Sequence, residues 1–225
     1  MERITVLLAE DHTIVREGLR ALLNAQSDIE VVGEAQTGRQ AVQLAKRLRP
    51  DVVVMDIAMP LLNGLEATRQ ILKAIPAARV LILSGYSDDE YIRQAVMLGA
   101  AGYLIKQTSA DSLSKAVREV QKGNTFFSPS IVDRVRRFHE ESPQGGRVLK
   151  KNKAALSSRE VEVLQLIAEG KANKQIAVEL GISVKTVEKH RQHLMSKLDR
   201  HDTAGLTRYA IAAGIIDRGV HVTII

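Results

Sequence analysis

Across the first 125 residues, short apolar runs rich in β-branched residues alternate five times with amphipathic stretches of helical period. The runs are Ile4–Ala9, Ile29–Ala35, Asp51–Met55, Arg79–Leu83 and Ala101–Ile105, and the helical stretches lie near 13–25, 38–48, 64–75, 88–98 and 109–123. Unbroken apolar sequence such as Val52-Val53-Val54-Met55 fits a strand buried on both faces. Strands joined through helices must run parallel, so five such units in 120 residues specify an α/β, doubly wound parallel sheet. Thr37…Gln40 and Ser87…Glu90 have capping-box spacing, and Ser109 is a cap without a box partner.

The pattern changes after residue 125. Phe126-Phe127-Ser128-Pro129 closes the fifth unit, 129–141 reads as a short charged helix, and Ser142-Pro143-Gln144-Gly145-Gly146 with Lys150-Lys151-Asn152-Lys153 reads as a flexible linker. From Leu156 onward the sequence is helical throughout. Ser157…Glu160 boxes a helix with the apolar row Val161, Leu164, Ile167 and Ala168, and Gly170 terminates it. A short helix Ala172–Leu180 ends at Gly181, Ser183 caps a helix running to about Leu198, and a fourth spans Thr203–Ala213. The expected organisation is a first domain over 1–124, a linker with a short helix over 125–154, and an all-α domain of four helices over 155–225.

Charge divides along the same line. Residues 1–125 carry 15 Lys and Arg against 15 Asp and Glu, whereas residues 126–225 carry 17 against 11, so the net charge of +6 lies in the last 100 residues. A neutral half joined to a basic half points to an anionic polymer as partner of the second. With three Phe, four Tyr and no Trp, a stacking platform for single strands is disfavoured. Zero Cys excludes disulfides and thiolate metal sites. No apolar run reaches membrane-spanning length and no secretory signal opens the sequence, so the expected location is cytoplasmic.

In an open parallel sheet, ligands bind outside the carboxyl ends of the strands. Glu10 and Asp11 follow the first strand, Asp56 the third, Ser84 the fourth and Lys106 the fifth. Neighbouring strands are about 4.8 Å apart, so these groups converge on one crevice. Three clustered carboxylates call for a hard cation, and Mg²⁺ accepts carboxylate and phosphate oxygens together. Its charge permits one carboxylate to attack a phosphoryl group. Ser84 and Lys106 supply a hydroxyl and an ammonium for the phosphoryl oxygens.

Residues 3–123 resemble a response-regulator receiver domain of flavodoxin-like (βα)5 fold. The match is carried by Glu10-Asp11-His12, Met55-Asp56-Ile57-Ala58-Met59-Pro60 with Gly64, Leu83-Ser84-Gly85 and Tyr103-Leu104-Ile105-Lys106. The resemblance implies that Asp56 is the phosphoacceptor and that Glu10, Asp11, Asp56 and the Ala58 carbonyl hold Mg²⁺. It makes Ser84 and Tyr103 a switch pair and Lys106 the phosphate-binding lysine. Gln107 stands where many receivers have Pro. Ala58 and Tyr86 occupy the positions that orient an attacking water in other receivers, and neither carries a carboxamide or carboxylate.

In the second half, Val184, Val187, Leu194 and Leu198 share a helix face expected to meet the core, with Lys185, Glu188, Lys189, Gln192 and Ser196 opposite. Such a face fits the DNA major groove: Lys bonds guanine, Gln pairs with adenine, and Glu188 either accepts from cytosine or repels phosphate. The segment resembles the LuxR-type helix-turn-helix through Leu156-Ser157-Ser158-Arg159-Glu160, Asn173-Lys174-Gln175-Ile176-Ala177, Leu180-Gly181-Ile182-Ser183 and Thr186-Val187-Glu188-Lys189-His190. By that resemblance Glu188, Lys189 and Gln192 approach bases, and Lys174, Lys185, Thr186, His190 and Lys197 are phosphate candidates. Arg191 falls on the core stripe, where it must pair with Glu160 or Glu162 or reach a phosphate. Leu206, Tyr209, Ala210 and Ala213 form a stripe that serves either the core or a homodimer.

Both resemblances together imply a NarL/FixJ-type two-component response regulator. That resemblance implies that a sensor histidine kinase phosphorylates Asp56, that the modified or DNA-bound protein is a homodimer on double-stranded DNA, and that RNA polymerase is a candidate further partner. The rivals are an aspartyl-phosphate phosphatase, which lacks its second acid because Ala58 stands there, and a receiver joined to a protein- or RNA-binding module. The sequence is thus read as a regulator and not an enzyme. The run Val220–Ile225 has no assignment.

Overall fold

The computed structural model describes residues 3–107, 110–140 and 156–216, and the chain divides into two compact units, Met1–Pro143 and Gln144–Ile225. In the first, the strands β1 (Ile4–Ala9), β2 (Ile29–Ala35), β3 (Val52–Met55), β4 (Arg79–Ser84), β5 (Gly102–Ile105) and β6 (Phe126–Phe127) form one parallel sheet in the order β2-β1-β3-β4-β5-β6. The helices α1 (Thr13–Asn24), α2 (Gly38–Leu48), α3 (Gly64–Ala74), α4 (Asp89–Leu98), α5 (Ala110–Gln121) and α6 (Pro129–Glu140) connect the strands and extend the last.

Side chains alternate across the sheet and both faces are covered, which is why the central strand β3 is apolar at every position. Leu7, Val53, Met55, Ile82 and Tyr103 point into one layer with Ala41 and Ala45 of α2, Ile71 of α3 and Ile92 of α4. Val6, Leu8, Val54, Leu81 and Leu104 point into the other, with Leu23 of α1 and Leu113, Val117 and Val120 of α5. Truncating one of these, such as Leu8→Ala, removes on the order of 2–5 kcal/mol.

β6 and α6 correct the expected linker over 125–154. Phe126 and Phe127 pair with Gly102 and Tyr103. The approach depends on glycine, since a Cβ on Gly102 would stand 2.3 Å from the Phe126 carbonyl oxygen. α6 then buries Ile131 and Val135 in the layer that contains Ile92 and Ala95. Residues 125–140 therefore belong to the first unit, because their apolar side chains complete its core. Ser142–Gly146, Lys150–Lys153, Ser109 and Val220–Ile225 lie outside the described residues.

Two capping expectations change. Thr37 accepts from the Gln40 N–H at 3.2 Å, but the Gln40 side chain takes the Gln36 N–H. α4 starts one residue late for a Ser87 box: Asp88 is its N-cap without a side-chain bond, and Glu90 is drawn away by Arg93 and Gln94.

The second unit comprises α7 (Ser158–Ala168), α8 (Asn173–Leu180), α9 (Val184–Leu198) and α10 (Thr203–Ala212). The Ser157–Glu160 box is formed in both directions. α7 is central and buried on nearly every side from Glu162 to Ala168, not only along its expected row. Val187, Leu194 and Leu198 of α9 meet it, with Leu206 and Ala210 of α10, whereas Val184 is 37% exposed because it sits in the first turn of α9, beyond the core. Gly181 adopts φ +62°, the left-handed geometry that turns α8 sharply into α9. The Arg159 guanidinium donates to the Leu180 carbonyl at 2.9 Å and fixes that turn from α7.

Candidate functional site

The parallel order puts the carboxyl ends of β1, β3, β4 and β5 at one edge, and backbone bonds carry the register past the strands. Asp56 N–H donates to Ala9 O at 2.9 Å, and Lys106 N–H donates to Ser84 O at 2.8 Å. Glu10 is 1% and Asp56 3% exposed. Lys106 Nζ lies 2.8 Å from Glu10 Oε2 and 3.0 Å from Asp56 Oδ2, bridging groups that follow three strands. Asp56 Oδ1 accepts from the Ile57 N–H at 2.8 Å, so Oδ2 is the oxygen turned toward Lys106. Gly64 permits the tight return of the chain beneath Asp56, since a Cβ there would stand 1.8 Å from the Asp56 carbonyl oxygen.

Burial is the main force on Asp56, pushing its carboxyl up to about 6; Lys106 opposes the rise and Glu10 adds to it. Burial works against the Lys106 ammonium, but the carboxylates of Asp56 and Glu10 outweigh it and raise the lysine. Among the described residues, Glu10 Oε2, Asp11 Oδ1 and Asp56 Oδ2 are buried oxygens with no neutral donor, reached only by the side chains of Lys106 and His12. Their charge is met through Lys106 and through His12, whose Nδ1 lies 2.9 Å from Asp11 Oδ1 and 3.2 Å from Glu10 Oε1. Three carboxylates against one ammonium leave an oxygen-rich, net negative pocket that fits a hard divalent cation.

Glu10, Asp11 and His12 each offer a ligand atom within 4.8 Å of the others. His12 was not foreseen as a neighbour of these carboxylates; it becomes one because the turn into α1 folds its ring back over them. Ala58 is half-buried in the loop between Asp56 and Gly64. Ser84 is fully buried, and its Oγ accepts from the Tyr86 N–H at 3.1 Å. The Tyr103 hydroxyl donates to the Tyr86 carbonyl at 2.8 Å and also meets the Ser84 hydroxyl, so Ser84 and Tyr103 are joined both directly and through Tyr86. Burial raises the Tyr103 phenol, which stays protonated as this donor. Arg16, also unforeseen, is 6% exposed, and its Nη1 donates to the carbonyls of Glu10 at 2.9 Å and Asp11 at 3.3 Å.

On α9, Lys185, Glu188, Lys189, Gln192 and Ser196 are exposed on the face away from the core, and Lys174 is exposed on α8. Thr186 and His190 are half-buried, and the Thr186 hydroxyl lies 2.8 Å from Ser183 Oγ. Lys197 is drawn in by Glu160, with Nζ 2.8 Å from Oε2. Burial tends to raise the Glu160 carboxyl, but its bonds to Lys197 and Ser157 prevail and lower it. Arg191 corrects the expected pairing with Glu160 or Glu162: its Nη2 donates to Thr203 Oγ1 at 2.8 Å, while Glu162 takes Arg159 at 2.7 Å. The closer cations had already claimed both carboxylates. Burial alone pulls the Arg191 guanidinium below its ordinary value. Leu206 and Ala210 of the α10 stripe are buried, and Tyr209 and Ala213 are half-buried.

Residues 6–118 match the response regulator receiver domain, and residues 154–210 match the bacterial regulatory proteins of the luxR family. The chain is 39% identical over 214 residues to the oxygen regulatory protein NreC of Staphylococcus carnosus, covering 94% of this chain and 99% of that protein. It is 40% identical over 207 residues to the transcriptional regulatory protein LiaR of Bacillus subtilis, covering 92% and 96%. Among solved structures, the response regulator RcsB in complex with DNA is similar at 28% identity and a TM-score of 0.54, over 92% of this chain and 98% of that one. Among the described residues, no helix is long and apolar enough to cross a membrane.

Proposed function

The chain belongs to the two-component response regulators that join a receiver domain to a LuxR-type DNA-binding domain, and from that premise we propose that phosphorylation of Asp56 controls duplex DNA binding by the second unit. The relatives are transcriptional regulators, and the protein is a regulator of that kind and not an enzyme. The observation that carries the reading is Lys106 Nζ held between Glu10 Oε2 and Asp56 Oδ2.

A sensor histidine kinase is the donor. Asp56 Oδ2 attacks phosphorus, the P–N bond to the kinase histidine breaks, and the imidazole takes up a proton as it leaves. Glu10, Asp11, Asp56 and the Ala58 carbonyl would hold Mg²⁺, whose bound charge lowers the repulsion between carboxylate and phosphoryl group. Lys106 is ready to donate to a phosphoryl oxygen. Ser84 Oγ accepts from Tyr86 and meets the Tyr103 hydroxyl, and its own proton turns from Tyr103 to another phosphoryl oxygen. Drawing Ser84 toward the phosphoryl group loosens its bond with Tyr86, and Tyr103 follows through the Tyr86 carbonyl.

In the second unit Lys189, Gln192 and Glu188 address base edges, with Lys185, Lys174, Thr186 and His190 on phosphates. The acting form is a cytoplasmic homodimer on paired half-sites that recruits RNA polymerase; the unplaced basic charge and the RcsB–DNA likeness support the duplex as ligand. The family likeness spans residues 6–118 and 154–210, within the proposed domain limits 1–124 and 155–225 save for residue 154. Gel shifts of the full chain on random-sequence duplex DNA and on RNA, with and without acetyl phosphate, test the reading. Duplex binding that strengthens with the phosphodonor is expected. Preference for RNA, or equal binding by Asp56→Asn and the native chain after phosphodonor treatment, overturns it.

A further inference from the structure

We propose that Arg16 is a positioning residue for the divalent-cation pocket, acting on Glu10 and Asp11 through their backbone carbonyls. The inference rests on the reading of that pocket as a cation site and deepens it. An arginine in the first turns of a surface helix ordinarily extends into water, yet Arg16 is 6% exposed. Burying a guanidinium is costly unless its donors and its charge are both met. Here the backbone behind the pocket takes one nitrogen and a β2 carboxylate takes another. Nη1 donates to Glu10 O at 2.9 Å and reaches Asp11 O at 3.3 Å. Nε lies 3.3 Å from Glu34 Oε2 at the end of β2, and Arg20 Nη1 takes the other Glu34 oxygen at 3.0 Å.

Glu10 and Asp11 are consecutive, so fixing both carbonyls fixes the backbone that aims their side chains. The Glu10 N–H is already tied to Ala35 O at 2.9 Å and the His12 N–H to Glu10 Oε1 at 3.2 Å, which leaves the two carbonyls as the open part of the segment. Arg16 closes it. The arginine gives chiefly geometry, because Glu34, which it shares with Arg20, offsets part of its charge. A bare guanidinium beneath the pocket would repel a cation; the Glu34 carboxylate 3.3 Å away weakens that repulsion. Groups that orient metal ligands from behind usually contribute 10–100-fold to metal affinity.

The test is Mg²⁺ titration calorimetry on the full chain for the native protein, Arg16→Met and Arg16→Lys, with acetyl-phosphate labelling of Asp56 followed by intact mass. Thermal melts in chelator establish that each variant is folded. Arg16→Met is expected to raise the Mg²⁺ dissociation constant at least tenfold, while labelling at saturating Mg²⁺ stays within threefold of native. Arg16→Lys, which keeps the charge and a donor, falls between. Native-like Mg²⁺ affinity in folded Arg16→Met overturns the proposal. So does tighter binding, which would make Arg16 a repelling charge. A native chain that binds no Mg²⁺ overturns the cation-site reading itself and the proposal with it, a result distinct from a change confined to the variants.

Discussion

Glu160 of α7 holds Lys197 of α9 at 2.8 Å through the same Oε2 that accepts the Ser157 N–H of its own capping box. One carboxylate oxygen therefore starts a helix and anchors the end of another. The ammonium that the LuxR-type likeness assigns to phosphate is thus occupied within the protein. Lys197→Gln is expected to destabilise the second unit by on the order of 1 kcal/mol and to leave the salt dependence of DNA binding unchanged. A slope of log K against log salt that falls by about 0.9 would instead put Lys197 on a phosphate.

The same pair sets a pH dependence. Glu160 has a lowered carboxyl in the folded state, so its contribution is fully present above the ordinary glutamate value and is lost as pH falls through the folded one. Urea melts of the second unit should show a loss below about pH 4.5 that shrinks in Glu160→Gln. An acid limb of equal depth in both proteins refutes the assignment.

Asp56 behaves in the opposite sense. Its carboxyl rises to about 6 on folding, so the native state binds the proton more tightly than the unfolded chain does. Stability from this group is complete below about pH 4 and is lost as pH rises through 6. Asp56→Asn should therefore exceed the native chain in stability at pH 7.5 without divalent cations, by on the order of 3 kcal/mol. The gap should close toward pH 4, and Mg²⁺ should stabilise the native chain alone. Equal stability at pH 7.5, measured by urea melts in chelator, contradicts the burial argument.

Much of this was legible in the residue pattern, and the failures share a cause. Val52–Met55 announced a central strand because a residue run on a doubly covered strand has no polar side. The convergence of Glu10, Asp56 and Lys106 followed from strand ends alone, since a parallel sheet delivers them to one edge. Phe126-Phe127 was too short to register as a strand; it pairs only because Gly102 lets a neighbour approach. Arg16 and His12 were missed because their roles lie in where a turn points a side chain, which no spacing rule encodes. Glu160 was foreseen as a cap, but not which of several cations would reach it first, a matter of distance between helices far apart in the chain.

Dephosphorylation follows from two absences in the sequence. Ala58 and Tyr86 stand two residues after Asp56 and Ser84, and the Tyr86 N–H and carbonyl are already engaged by Ser84 and Tyr103. No carboxamide at either position orients a water for attack on the acyl phosphate. The phosphorylated chain should therefore decay slowly, and Ala58→Asn should speed the loss roughly tenfold by supplying that orientation. Intact-mass time courses after removal of acetyl phosphate measure it. Fast decay in the native chain, unaltered by Ala58→Asn, removes the basis.

Arg191 and Lys197 exchange the roles that the sequence suggested for them. With Glu160 taken by Lys197 and Glu162 by Arg159, Arg191 has no carboxylate partner among the described residues, only the Thr203 hydroxyl at 2.8 Å. It is half-buried, its stem lying along the core and its guanidinium retaining unused donors. Methionine replaces the stem but not the charge, and relief of burial offsets the lost hydrogen bond, so Arg191→Met should shift stability by less than about 1 kcal/mol. If the remaining donors serve a DNA phosphate, the same variant flattens the salt slope by about 0.9 and weakens binding equally across sequences. Paired melts and salt titrations decide it: a large loss of stability with an unchanged slope would return Arg191 to a purely structural role.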